Sequence, residues 1–112
     1  MAIKHAEPGQ VVDVSPLGDN LTSHKTHTLA KSEYAEIIRL VLPAEREIAT
    51  HSAPGQIIIQ CLEGRVEFSA MGDVRVLDSG KLFYLLPDEP HSVKAVEDSS
   101  VLLTILLPKR ES

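Results

Sequence analysis

The chain is short of cysteine, aromatic residues, positive charge and long apolar runs, and each shortage closes a class of function. A single thiol, Cys61, has no partner for an internal disulfide and excludes a multi-cysteine zinc or iron–sulfur centre. Lys and Arg total 11 against 16 Asp and Glu, a formal charge of −5. A partner held by phosphate neutralisation, nucleic acid foremost, is therefore not expected. The longest apolar run, Val101 to Leu107, is broken by Thr104 and falls far short of the ~20 residues that cross a bilayer. Residues Met1 to Val12 include Lys4, His5, Glu7 and Pro8 and hold no apolar stretch of signal-peptide length. No serine near a histidine forms a hydrolase elbow, and no glycine loop is spaced to cradle phosphate. With aromatic residues at 4%, Phe83 and Tyr84 are expected in the core rather than on a stacking platform. A cytoplasmic protein without membrane contact is the expectation, and an unpaired thiol suits that reducing compartment.

What is present is a core. The 112 residues are 43% apolar and 24% charged, enough to fold one domain and too few for two. There is no internal repeat. Asp13 to Ser32 is the most polar stretch, with Pro16, Gly18, Asp19, Asn20 and Ser23 marking turns. Beyond it, β-prone runs alternate with turn signals: Gln56–Leu62, Arg65–Ala70, Asp73–Leu77, Lys81–Leu86, Ser92–Val96 and Val101–Leu107. Many short strands at near-regular spacing predict an all-β sandwich or barrel. Val66 and Phe68 alternate with Arg65, Glu67 and Ser69, as on a sheet with one wet face. Tyr34, Ile37, Ile38, Val41 and Leu42 fall at helical spacing between Ser32 and Pro43. A strand buried on both faces reads the same way, so periodicity leaves the two open.

Residues 51–64 read His-Ser-Ala-Pro-Gly-Gln-Ile-Ile-Ile-Gln-Cys-Leu-Glu-Gly, and residues 80–91 read Gly-Lys-Leu-Phe-Tyr-Leu-Leu-Pro-Asp-Glu-Pro-His. Together they resemble the two motifs of the small single-domain cupins. The first family motif runs His-x-His, three or four residues, Glu, six residues, Gly. The second runs Gly, five residues, Pro-x-Gly, two residues, His, three residues, Asn. The resemblance spans roughly residues 35 to 107 and implies a jelly-roll β-barrel, the double-stranded β-helix, with 35–42 as a strand. It implies one cupin domain over 1–112, with a polar N-terminal arm bearing short strands over 1–32 and the barrel over 33–107.

Carried over position by position, the family's metal ligands are half present. His51 and His91 match; the second histidine falls on Ala53, the glutamate on Ile57 and the asparagine on Ala95. Gly64 and Gly80 match, while Pro-x-Gly has become Leu86-Pro87-Asp88. A divalent transition metal would thus lose one imidazole and its charge-compensating carboxylate. Glu47 shares strand parity with His51 but lies ~13 Å along the strand, and Glu89 stands two residues from His91.

The resemblance places His51 and His91 inward from neighbouring strands, facing each other across a pocket. Ile57, Ile59 and Cys61 share one strand face and would form an apolar floor, with Cys61 an inert buried thiol. Arg39 interrupts an apolar strand; it is expected at an edge or interface, or in the pocket holding a carboxylate. His24 and His27 are expected to be solvated. The leading expectation is a small-molecule binder with His51 and His91 as polar contacts. Two alternatives are a metal-dependent dioxygenase, isomerase or decarboxylase using both histidines and a third ligand, and an accessory barrel with no ligand. Apolar residues on both faces of 35–42, 56–62 and 101–107 exceed one core and point to a homodimer.

Overall fold

A computed structural model describes residues 5–108. Its nine described strands are β1 (His27–Lys31), β2 (Ala35–Leu42), β3 (Glu47–His51), β4 (Ile57–Glu63), β5 (Arg65–Ala70), β6 (Asp73–Asp78), β7 (Leu82–Leu85), β8 (His91–Ala95) and β9 (Ser99–Leu106). They form two sheets, ordered β1-β2-β9-β4-β7 and β3-β8-β5-β6, with antiparallel neighbours throughout. This is the expected jelly roll. The six runs read from the sequence all fold as strands, none displaced at either end by more than two residues.

Residues 35–42 form a strand, not a helix, and the structure supplies the reason for the helical look. Ile38, Leu40 and Leu42 face the barrel interior, while Ile37, Arg39 and Val41 face outward. The outer side of Arg39 and Val41 is covered too, because a 3-10 turn at Gly18–Ser23 packs on β2 with Leu21 buried. Two buried faces erase the alternation that marks a half-wet strand.

The interior is built from cross-strand rows. Ile59 pairs with Leu103 and Phe83, and Cys61 pairs with Val101, which pairs with Leu40. The facing sheet contributes Val66, Phe68 and Ala70 from β5 and His91, Val93 and Ala95 from β8. Tyr84 departs from expectation: it is 60% exposed. Strand parity puts it outside, opposite Ile58, while Phe83 turns inward edge-on to Phe68 at 4.7 Å.

Gly64 closes the β4–β5 hairpin at φ +84, and an added Cβ would collide with Ser99 Oγ and Asp98 O. Asp88, which stands at the family's glycine position, also takes a left-handed φ of 66. Asp tolerates this conformation better than most residues with a side chain.

Candidate functional site

Between the sheets lies a cavity of about 240 Å³ lined by Leu40, Ile48, His51, Ile59, Phe68, His91, Val93 and Leu103. Two rows of the four-stranded sheet make one wall. Phe68, Val93 and Ile48 are cross-strand partners, and Ala70, His91 and His51 form the next row. Leu40, Ile59 and Leu103 of the five-stranded sheet make the opposite wall.

His51 and His91 are side by side on one sheet rather than opposed across the pocket. They are register partners, with ring centroids 4.3 Å apart and planes tilted by 59°. His51 reaches that position through a bulge: from Ile48 to His51 β3 advances three residues while β8 retreats two, from Val93 to His91. The extra residue puts Ile48 and His51 on the same cavity wall. It also overturns the parity expected between Glu47 and His51. Glu47 pairs with Lys94 and is exposed.

His91 is 4% exposed and its ring stacks on Phe68 at 5.4 Å with an 18° interplanar angle. Its pKa lies below the ordinary imidazole value: burial disfavours the charged form, and nearby His51 adds to the depression. The hydrogen bond to the Glu89 carbonyl works in the other direction without reversing it. His51, by contrast, is exposed as well as lining the cavity.

The remaining sequence candidates divide between core and outer face. Ile59 lines the cavity; Ile57 and Cys61 are buried in the adjoining core. Burial raises the Cys61 thiol pKa, opposite to what a nucleophile needs. Arg39 is nowhere near the cavity. It lies on the outer face, where Nη2 donates to the Ser15 carbonyl (2.7 Å), Ser100 Oγ (3.1 Å) and Glu63 Oε2 (3.1 Å). Glu63 also accepts from the Leu17 and Gly18 N–H groups and the Ser100 hydroxyl. The arginine thus clasps the N-terminal segment to the sheet, on the side away from the cavity. The sequence did not single out Leu40, Ile48, Phe68, Val93 or Leu103 as lining. Apolar strand residues look alike until register assigns their height in the barrel.

The donor set does not suit a tightly held metal ion. The cavity wall offers two imidazoles, its other side chains are hydrocarbon, and a protein metal site ordinarily needs at least three donors. Ala53 and Ile57, at two of the family's ligand positions, are both packed into the core. Among the described residues no group of three or more His, Cys, Asp or Glu side chains is placed to hold one ion.

Residues 43–110 match the sequence profile of the AraC-like ligand binding domain. No curated protein matches the chain. Among solved structures, a conserved protein of unknown function from Streptococcus pyogenes is 24% identical with a TM-score of 0.75, covering 98% of this chain and 97% of its own. An RmlC-like cupin from Desulfovibrio desulfuricans is 27% identical with a TM-score of 0.68, covering 91% and 97%. A cupin superfamily protein from Desulfitobacterium hafniense is 13% identical with a TM-score of 0.75, covering 92% and 100%.

Proposed function

Because the chain belongs to the AraC-like ligand binding domain family and is a small cupin barrel, we propose that it binds a small, largely apolar molecule between its two sheets. The observation carrying this reading is the composition of the cavity: six hydrocarbon side chains and two imidazoles around about 240 Å³. Cavities of about 150 Å³ lined by aliphatic and aromatic side chains already accept benzene, so a single ring with a short polar end fits this one. His51 and His91 supply the polar contacts, and the hydrocarbon wall supplies most of the affinity. The site has the frame of a cupin metal centre with its ligand set dismantled.

The same reading includes a homodimer and a cytoplasmic setting. Support for the first is the uncharged outer row Ile37, Thr104, Ile58 and Tyr84 on the five-stranded sheet. Support for the second is the single, buried, unpaired thiol. No described helix is long and apolar enough to cross a membrane.

Toluene, observed through methyl NMR, tests the cavity directly. It is expected to shift the methyl resonances of Leu40, Ile48, Ile59, Val93 and Leu103 and to leave the exposed Val76 unmoved. Leu103→Phe, which fills the space, should abolish the shifts. Undiminished shifts in that variant, or none in the wild type, would sink the proposal.

A further inference from the structure

The two polar side chains of the cavity have a chemistry fixed by the main chain. Nδ1 of His51 lies 2.9 Å from the Ala49 carbonyl oxygen, and Nδ1 of His91 lies 3.0 Å from that of Glu89. A carbonyl oxygen only accepts, so in each ring Nδ1 carries the proton and donates it. A neutral imidazole has one N–H, which leaves Nε2 of both rings as a lone-pair acceptor. The same return to the residue two positions back occurs on both paired strands and puts both rings in one tautomer.

Nothing else on the wall can donate. Leu40, Ile48, Ile59, Phe68, Val93 and Leu103 are hydrocarbon. The nearest thing to an anion receptor in the sequence, Arg39, is committed to Glu63 on the outer side of the sheet. The cavity therefore presents two acceptors, no donor and no fixed charge while its histidines are neutral.

Resting on the reading that this cavity holds a small molecule, we infer that its ligand is an uncharged hydrophobe whose polar end donates a hydrogen bond to Nε2 of His51 or His91, such as an alcohol or a phenol. An ether or ester oxygen would sit against lone pairs with its own acceptor unsatisfied, a recognised penalty for a buried polar group. A carboxylate would lose its hydration and meet no cation. An ammonium would donate well but be desolvated without a counter-charge.

Benzyl alcohol, benzyl methyl ether, benzoate and toluene share one ring and differ in the head group. Titrated at pH 7.5 and followed by methyl NMR, benzyl alcohol is expected to bind about tenfold or more tightly than the ether or benzoate. Toluene reports on the cavity itself. If toluene and the alcohol both leave the cavity methyls unmoved, the ligand-binding reading fails and this inference with it. If toluene binds but the ether or benzoate matches the alcohol, donor selection alone is overturned. His51→Leu, at the solvent-exposed member of the pair, should narrow the gap between alcohol and ether, with His91 Nε2 the acceptor that remains, while toluene binding persists. Nitrogen-15 shifts of the unliganded protein give a second reading. Both rings should show a protonated Nδ1 and a bare Nε2, and a proton on either Nε2 would overturn the assignment.

Discussion

His91 couples the cavity to pH because a neutral ring is buried there. Unfolded, it titrates near its ordinary 6.5; folded, burial and the adjacent His51 hold it lower. Between those two values the unfolded chain binds more protons than the native one, so stability rises with pH in that window. The contribution is complete above the unfolded value and is lost as pH falls from about 6.5 through the lower native value. Urea titrations at pH 7.5 and pH 5 should show a lower midpoint at pH 5, with the difference reduced in His91→Leu. His51 is the other titratable side chain on the cavity wall, so a His51→Leu control separates the two rings. Gly64 makes a sharper test of backbone chemistry. Gly64→Ala combines a left-handed φ with contacts to Ser99 and Asp98 that cannot give way at both sites, and a loss above about 2 kcal/mol is expected in denaturant titration. At this scale the sequence was informative where a residue type is demanded by conformation, as at Gly64 and Gly80, both at positive φ. It left Arg39 open between an edge or interface and the pocket, because its partner Glu63 lies 24 residues away and no local pattern distinguishes the two.

Elements were legible in proportion to how differently their two faces are treated. Strand β5, buried at alternate positions, is legible to its ends, whereas the sequence gives no bounds for β1, within the arm expected to bear short strands, and does not mark β3. Both are edge strands, and β3 exposes all but Ile48, so neither carries an apolar period to detect. The bulge in β3 was invisible for a related reason: an extra residue changes which side chain points inward without changing composition. The N-terminal segment shows how a long-range polar contact can stand in for an apolar one. Leu17 and Gly18 donate main-chain hydrogen bonds to Glu63, which also receives Ser100 and Arg39. Burial pushes the Glu63 carboxyl up, but those hydrogen bonds and the Arg39 charge together bring it below its usual value. Glu63→Gln leaves the Arg39 guanidinium buried without a counter-charge, and its Nε already has no partner among the described residues. The expected loss is about 3 kcal/mol, accompanied by faster amide exchange at residues 17–24. Unchanged exchange there would show that the clasp does not hold the segment.

At the scale of the whole molecule, the five-stranded sheet has more apolar surface than its own core uses. Its outer face carries the continuous row Ile37, Thr104, Ile58 and Tyr84, flanked by Leu102, Leu106 and Leu82. The N-terminal segment covers the β2 end through Leu21 and the Arg39 clasp, and the β4–β7 end is left open, with Tyr84 and Leu82 more than half exposed. Apart from the paired Arg39, these outward positions are uncharged, so bringing two copies together there desolvates no isolated ion. A two-fold axis over β4 would lay each row on its own copy, the self-matching arrangement that closed dimers require. Light scattering should then give twice the 12.2 kDa chain mass, and Ile58→Lys with Tyr84→Lys should halve it with the far-ultraviolet circular dichroism unchanged. Lysine is suited to the purpose because both positions already lie outside the barrel, and charge there opposes association rather than folding. The cavity lies between the sheets and this row lies outside the five-stranded one, so the monomeric variant should still bind toluene. Loss of binding along with the dimer would mean that the barrel depends on its partner to keep its shape.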